Sequence, residues 1–444
     1  MSGHIWGKQL SSFQIIISGF LAIILLGTGL LMLPAASLAG RWTSVEDALF
    51  TATSAVCVTG LVIRDTATYW SFFGQAVILV LIQLGGLGIA TVSALIATIS
   101  GRKITLLQRS MLQESISAFQ VGGIVKLTWF VCRLALLAEL LGTLLMLPTF
   151  LSLYGQSGIW MALFHSVSAF CNAGFDVMGT HTGAFSSLTA FGSQAGVILP
   201  VTLLIITGGI GFLTWDDIVK HRLRFKQYRM QSKVILTATA LLVLLPGLVL
   251  FLTDFSDLRP KERALTALFH AVTPRTAGFN TVDMSRLTSA GRAMTVVLML
   301  VGGAPGSTAG GVKTTTAAVL LANTAAVIRR RKDPRLFNRR IDGDTVKSAS
   351  TLLMLYLLLA LLGAFVISAR EGLSFETCLF ETASAIGTVG LSLGITPALG
   401  LLSRGVLVGL MFFGRAGALT LLFAAVNSIE PQVAQYPLGR INVG

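Results

Sequence analysis

Four short segments of this 444-residue chain carry the residue types from which a cation site can be built. They read ALFTATSAVCVTG at 48–60, ALFHSVSAFCNAG at 162–174, ALFHAVTPRTAG at 267–278 and CLFETASAIGTVG at 378–390. Each has Leu-Phe near its start and ends on glycine: Gly60, Gly174, Gly278 and Gly390. The third is one residue shorter and alone contains Pro274 and Arg275. Chance similarity among apolar segments would match composition, not four glycines in register with four Leu-Phe pairs. Glycine accepts backbone angles that other residues resist, so it can turn successive carbonyls to one side. Rings of such carbonyls replace the hydration shell of a permeating cation.

A second group of residues suggests control of a path. Gly302-Gly303-Ala304-Pro305-Gly306-Ser307-Thr308-Ala309-Gly310-Gly311 precedes Val312 and Lys313 inside an apolar stretch. Five glycines and a proline cannot continue a helix, where proline alone costs about 3 kcal/mol. A phosphate-binding loop needs Lys directly after the last Gly of G-x-x-x-x-G-K; here Val312 intervenes and no strand precedes. A packing kink between helices and an intramembrane loop entering an ion path are the readings that remain. Arg133, Glu139 and Arg415 also fall within apolar stretches, where ionisable residues are functional candidates. Arg133 and Glu139 are poorly placed to share a helix face, and Arg133 suits a snorkelling role. Arg415 is flanked by glycines, and a cation beneath a cation-selective filter would raise a barrier to permeant ions. Ties to backbone carbonyls, as a structural strut, are its alternative role.

These residues need elements to position them, and composition says which kind. The chain is 54% hydrophobic and 12% charged, with 46 glycines. Soluble domains carry about 25% charged residues, so a soluble enzyme, a disordered tail or a disulfide-stapled module is excluded. Cys57, Cys132, Cys171 and Cys378 form no C-x-x-C pair, and Cys57 and Cys171 read as small apolar packing residues. Eight stretches are long and apolar enough to span a bilayer: 13–33, 72–99, 127–150, 191–213, 234–253, 292–328 (interrupted), 349–368 and 403–426. Between each odd span and the next lies a segment too short to cross, at 44–56, 159–170, 262–273 and 374–386, as suits a re-entrant pore helix.

The net charge is +14. The loops 101–126, 216–233 and 329–347 with both termini hold 20 Lys+Arg and 7 acids, whereas the opposite segments and Arg292 hold 10 and 11. Both termini and the basic loops are therefore placed in the cytoplasm. Arg329-Arg330-Arg331-Lys332 is the strongest marker and suits lipid headgroups, with no nucleic acid needed to explain the charge. The expected fold is an all-α membrane protein of four fused helix–pore-loop–helix repeats around a central pore. Its units are 1–100, 101–216, 217–332 and 333–428, followed by a tail at 429–444. All four face the same way, so the pore helices point their negative carbonyl ends at one axis, which favours a cation.

In these respects the chain resembles the Trk/Ktr/HKT superfamily of potassium transporters over essentially its whole length, and within it the KtrB-like membrane subunits. The resemblance implies an ion-translocating subunit of a potassium uptake system. K+, with sodium as a possible second ion, would pass down its gradient through filter segments 57–60, 171–174, 275–278 and 387–390. Those segments are Cys57, Val58, Thr59, Gly60; Cys171, Asn172, Ala173, Gly174; Arg275, Thr276, Ala277, Gly278; and Gly387, Thr388, Val389, Gly390. None reads Thr-Val-Gly-Tyr-Gly, so discrimination against sodium should be weaker than in a channel of four identical filters. The resemblance also implies a gate at 302–313 built from Gly302, Gly303, Gly306, Ser307, Thr308, Gly310, Gly311 and Lys313, closed together with Arg415. Its implied partners are membrane lipid, a second copy of the chain and a cytosolic nucleotide-binding ring of the KtrA type. The permeant K+ is the one cofactor, no organic cofactor is expected, and the location is the bacterial inner membrane.

Other polar residues have quieter roles. His165 and His270 occupy one repeat position, where Thr51 and Glu381 stand in the other copies; they read as pore-helix contacts, since one His per unit does not make a metal site. Asp65, Asp176 and Asp283 follow the filter glycines and either concentrate cations or sit as solvated loop acids. Segment 101–123 reads as an amphipathic, partly interfacial helix. An ion-coupled symporter (Na+/K+ or H+/K+) is the alternative function. An intramembrane enzyme finds no catalytic constellation in any span.

Overall fold

The computed structural model describes residues 4–5, 8–9, 12–100, 104–116, 122–222 and 224–417. The tail at 429–444 and the inner part of the last span lie outside them. The described chain is helical apart from two short antiparallel pairs, 4–5 with 8–9 and 335–336 with 339–340.

Each unit begins with a long apolar helix: α1 (Ser12–Met32), α6 (Ile124–Tyr154), α10 (Met230–Leu252) and α14 (Gly343–Glu371), numbered with the elements below. All four are long and apolar enough to cross a membrane. Leucines such as Leu25, Leu140, Leu244 and Leu362 stay exposed along them, as a lipid-facing surface requires. A short buried helix follows in every unit: α2 (Val45–Val56), α7 (Ser157–Phe170), α11 (Pro260–Val272) and α15 (Phe375–Gly387). Ser44 and Ser374 cap two of these at their outer ends, accepting from the amides of Asp47 and Thr377.

Two of the second spans depart from expectation. Spans 72–99, 191–213 and 403–426 read as continuous, with only the sixth interrupted. In the structure the first and second of these spans are sharply bent as well, and the fourth is described only as far as Gly417. Helix α3 (Phe72–Leu87) turns by 95° at Gly88 into α4 (Ile89–Ile99). Helix α8 (Ala195–Gly209) turns by 98° at Ile210–Gly211 into α9 (Phe212–His221). Helix α12 (Ser289–Leu300) gives way to the loop 301–313 before α13 (Thr314–Ile328), and α16 (Leu401–Ala416) ends at Gly417. Gly88, Gly211 and Gly417 share φ of +84°, +86° and +86°, a corner that side-chain-bearing residues resist.

Of the amphipathic 101–123 stretch, helix α5 (Leu106–Ile116) is described, while 101–103 and 117–121 lie outside the described residues. Its last turn is buried at Leu112 and Ile116, and its first turn is exposed at Leu106 and Leu107. The basic run 329–332 is exposed and follows the end of α13.

The ring of units closes on itself. Asp47 at the start of α2 is buried and pairs with Arg64 at 2.8 Å and with Arg404 of α16 at 3.5 Å, joining the first unit to the last.

Candidate functional site

The four glycine-ended segments meet. A Cβ placed on Gly60 would fall on the carbonyl oxygen of Ala173, and one on Gly174 would lie 2.7 Å from that of Ala277. The same construction on Gly278 meets the carbonyl of Val389, and on Gly390 that of Thr59. Each glycine therefore abuts the next unit's segment, and the fourth returns to the first. The carbonyls of Thr59, Ala173, Ala277 and Val389 form one closed ring.

Backbone handedness is common to the four. The glycines have φ of +88°, +69°, +83° and +95°, and the residue two before each is also left-handed: Val58 (+55°), Asn172 (+57°), Thr276 (+74°) and Thr388 (+51°). Non-glycine residues rarely take such angles, and when they do a surrounding structure must impose them.

The amides are consumed on the outer side of this wall. Thr59, Ala173, Ala277 and Val389 donate to the carbonyls of Ser54, Ser168, Thr273 and Ser384 at 2.8, 2.7, 2.9 and 2.8 Å. The hydroxyls of those same residues complete the bracing. Ser54 and Ser384 accept from the amides of Gly60 and Gly390, both at 3.0 Å, while Ser168 and Thr273 donate to the carbonyls of Phe175 and Phe279 at 2.7 and 2.5 Å. No hydrogen bond among the described residues ends on a carbonyl of 58–60, 172–174, 276–278 or 388–390. These oxygens keep their lone pairs free for a ligand. The bracing hydroxyls stand at one repeat position in the four segments, where their small polar side chains carry no signal until the copies are aligned.

Not every residue of the four segments faces this ring. Cys57 and Cys171 are buried caps at the ends of α2 and α7. The Arg275 side chain turns outward, its guanidinium donating to Thr239 Oγ1 of α10 at 3.2 Å. Gly387 is the last residue of α15 and not part of the extended segment, because the fourth helix continues one residue further than its sequence suggests.

Above the ring, an outer cavity of about 480 Å³ is lined by all four glycines with Asp65, Asp176 and Asp283. The acids serve as local caps: Asp65 accepts from the amides of Thr68 and Phe185, both at 2.8 Å, Asp176 from Met178 at 3.0 Å and Asp283 from Ser285 at 2.9 Å. Glu381, buried in α15, accepts from Ser392 Oγ, the Leu393 amide and Thr396 Oγ1 at 2.5, 3.0 and 2.9 Å, which fixes the loop beyond the fourth glycine. His165 bonds the Met161 carbonyl at 2.7 Å and stacks on Phe150.

On the opposite side, an inner cavity of about 400 Å³ is lined by Gly306, Ser307, Ala309, Gly311, Lys313 and Arg415, with Glu114 and Ser115 of α5. The loop 301–313 stands between this cavity and the ring. Its Ala304 and Thr308 amides donate to the carbonyls of Gly209 and Gly208 at 2.8 and 3.2 Å, and Thr308 Oγ1 donates to the carbonyl of Phe170 at 2.9 Å. Gly310 packs against the Thr388 side chain, and Gly302 lies beside that of Thr276. Lys313 Nζ folds back onto the Ala309 carbonyl at 2.8 Å. From the far side, Arg415 donates to the carbonyls of Thr308 and Gly85, and to that of Gly86 at 3.0 Å. One guanidinium so ties the loop of the third unit to the break of the first. Gly306 rests on the carbonyl of Ile116, the last residue of α5.

Elsewhere in the spans, Arg133 lies over the Trp129 ring at 5.7 Å, as a snorkelling residue would, and Glu139 is buried.

Comparison with known proteins agrees with this architecture. The family model for TrkH, described as a cation transport protein, matches residues 8–434. The potassium/sodium uptake protein NtpJ of Enterococcus hirae is 39% identical over 440 residues, covering 97% of this chain and 96% of that one. The Ktr system potassium uptake protein B of Bacillus subtilis is 36% identical over 438 residues, with 97% and 96% covered, and that of Vibrio alginolyticus 33% over 439, with 97% and 94%. The crystal structure of the potassium transporter TrkH from Vibrio parahaemolyticus superposes with a TM-score of 0.69 at 20% identity, covering 92% of this chain and 85% of that one, and so shares its fold.

Proposed function

This chain belongs to the TrkH family of cation transport proteins, and from that premise we propose that it is the potassium-translocating membrane subunit of an uptake system. The observation that carries the reading is the closed ring formed by the carbonyls of Thr59, Ala173, Ala277 and Val389, with a cavity on either side. Partial negative charge on unbonded carbonyls substitutes for water around a cation, and it does nothing for an anion or a neutral solute. Gly60, Gly174, Gly278 and Gly390 with the residues before them are the ion-binding filter. The relatives' names, potassium uptake and potassium/sodium uptake, support potassium as cargo and sodium as a competitor. Movement is passive, without enzymatic chemistry in this chain.

The loop 302–313, Lys313 and Arg415 form the closed gate. The loop separates the inner cavity from the ring, and Arg415 adds a positive charge on the cation's route. Opening requires loss of the carbonyl ties that Arg415 and Thr308 make. Relatives named as proteins B and D of a Ktr system support assembly with further components; in this reading those are a cytosolic nucleotide-binding ring and a second copy of the chain. Both termini lie in the cytoplasm and the protein resides in the bacterial inner membrane, as the basic inner loops support.

The test is potassium and sodium uptake in a transport-deficient cell, with and without the cytosolic partner. Potassium-selective cation uptake that needs no second ion is expected. Flux that strictly requires cotransported sodium or protons would replace this reading with coupled symport.

A further inference from the structure

Glu139 sits halfway along α6, 5% exposed, and takes both of its carboxylate hydrogen bonds from one neutral amide: Gln83 Nε2 of α3, at 2.9 and 3.2 Å. Its backbone carbonyl accepts from Ser166 Oγ of the pore helix α7 at 2.6 Å. The other end of the Gln83 amide, Oε1, accepts from the Cys171 thiol at 3.4 Å. That thiol packs on Gly86, where a Cβ would lie 2.6 Å from the sulfur. A carboxylate, an amide and a thiol thus run in line from the first span of the second unit to the cap of its filter segment.

The direction of this line follows from the chemistry of its ends. An ionised carboxylate only accepts, so it draws the NH2 of Gln83 and leaves the amide oxygen facing Cys171. The thiol, as a donor, is then fixed, and with it the residue that begins the 171–174 segment. Packing alone would be met by an apolar residue, since an ionisable group at membrane depth is costly. The Gln83–Gly86 turn also bears the carbonyls of Gly85 and Gly86 that hold Arg415.

We propose that Glu139 is a positioning residue for the second filter segment, acting through Gln83 on Cys171 to set the preference between potassium and sodium. This rests on the reading of 171–174 as part of the filter. The experiment is potassium and sodium flux of the full chain in proteoliposomes, with wild type and Gly174→Ala measured alongside. Glu139→Gln leaves one acceptor oxygen where the carboxylate has two and sets an NH2 beside Gln83 Nε2, so the hold on the Gln83 amide weakens and its oxygen is no longer fixed against the thiol. The potassium/sodium preference should change by about fivefold, the factor that one net hydrogen bond carries. Cys171→Ala removes the donor itself and should shift the preference in the same sense. Combined with Glu139→Gln it should add little, because the two act on one line.

Exchanging the pair, Glu139→Gln with Gln83→Glu, returns a carboxylate acceptor to the thiol and a donating amide to the carboxylate. It should recover most of the wild-type preference, which a merely structural role would not bring about. Unchanged preference in both single variants, whatever their thermal stability, overturns the proposal, as does full additivity of the two. The filter reading fails separately, if Gly174→Ala leaves the preference untouched.

Discussion

The outer and inner halves of the four units start from the same repeat and end differently. At the outer half every unit gives the same backbone: two left-handed residues flanking one carbonyl of the ring, braced by a hydroxyl six or five residues before the glycine. At the inner half three of the four units share a glycine pressed onto the end of the pore helix. Gly85, Gly208 and Gly414 each meet the carbonyl of Val56, Phe170 or Ile386. Beyond that contact the units diverge, for the third extends into the loop 301–313 and the fourth places Arg415 beside its glycine. A ring that strips water from an ion needs equal distances from all sides, so the outer half tolerates little variation. Obstruction needs one group on the axis, so an inner half that gates, as proposed, tolerates inequality.

The largest expected effect tests the equality of the outer half. Gly278→Ala places a methyl on the Val389 carbonyl at a φ of +83°, where a side chain costs about 1–2 kcal/mol before any clash. The potassium/sodium preference measured by competing uptake should fall by about tenfold or more. An unaltered preference would show that the ring does not select. Next comes the inequality of the inner half. Deleting 304–309 should raise potassium flux without the cytosolic partner by about tenfold, since it removes most of the loop together with the tie from Thr308 to Arg415. Flux equal to or below wild type in a well-folded deletion would sink the gate.

A smaller effect concerns the seam where the ring closes. Asp47→Ala leaves Arg404 without its carboxylate and should lower stability by about 1–3 kcal/mol, read as a drop in the thermal midpoint of the purified protein. The smallest effect lies at the outer mouth. Burial pushes the Asp176 carboxyl up to about 7, against the pull of the Met178 amide and with help from the charge of Asp65. A carboxyl raised in the folded state contributes stability below the ordinary carboxylate range and loses it as pH rises through about 7. The negative charge at the vestibule appears over that same window, so cation flux should rise with pH there by about twofold to threefold. Asp176→Asn should flatten the profile; a slope that survives the substitution assigns it to another group.

The outer half was the legible half. Leu-Phe at the start and glycine at the end of each segment place four re-entrant helices, since a dozen half-apolar residues can neither span a bilayer nor remain in water. The bends at Gly88 and Gly211 leave no mark in hydropathy, because the apolar stretches around them are long enough for a continuous helix. A signal did exist in Gly85-Gly86-Leu87-Gly88, Gly208-Gly209-Ile210-Gly211 and Gly414-Arg415-Ala416-Gly417, one copy per unit, aligned with Gly302-Gly303 in the third. Hydropathy does not register such a pattern; only comparison among the copies does. In that alignment Arg415 stands where the other units carry Gly86, Gly209 and Gly303, which is why its guanidinium finds open carbonyls to bind. Helix α15 runs one residue further than 374–386, to Gly387, because capping at Thr388 sets the helix end.

The loop 301–313 has one further consequence, which concerns how such a protein can change over generations. A channel assembled from four identical subunits repeats each substitution four times around its axis, and four copies of this loop would collide at the centre. With four copies fused in one chain, a single quadrant can lengthen its backbone while its neighbours keep the short glycine corner, and another can acquire an arginine without multiplying the charge. Fusion therefore does more than hold the units together. It lets the loop and the arginine, on the proposed reading the plug and its latch, arise once each in different quadrants, while the ring outside them stays under a common constraint.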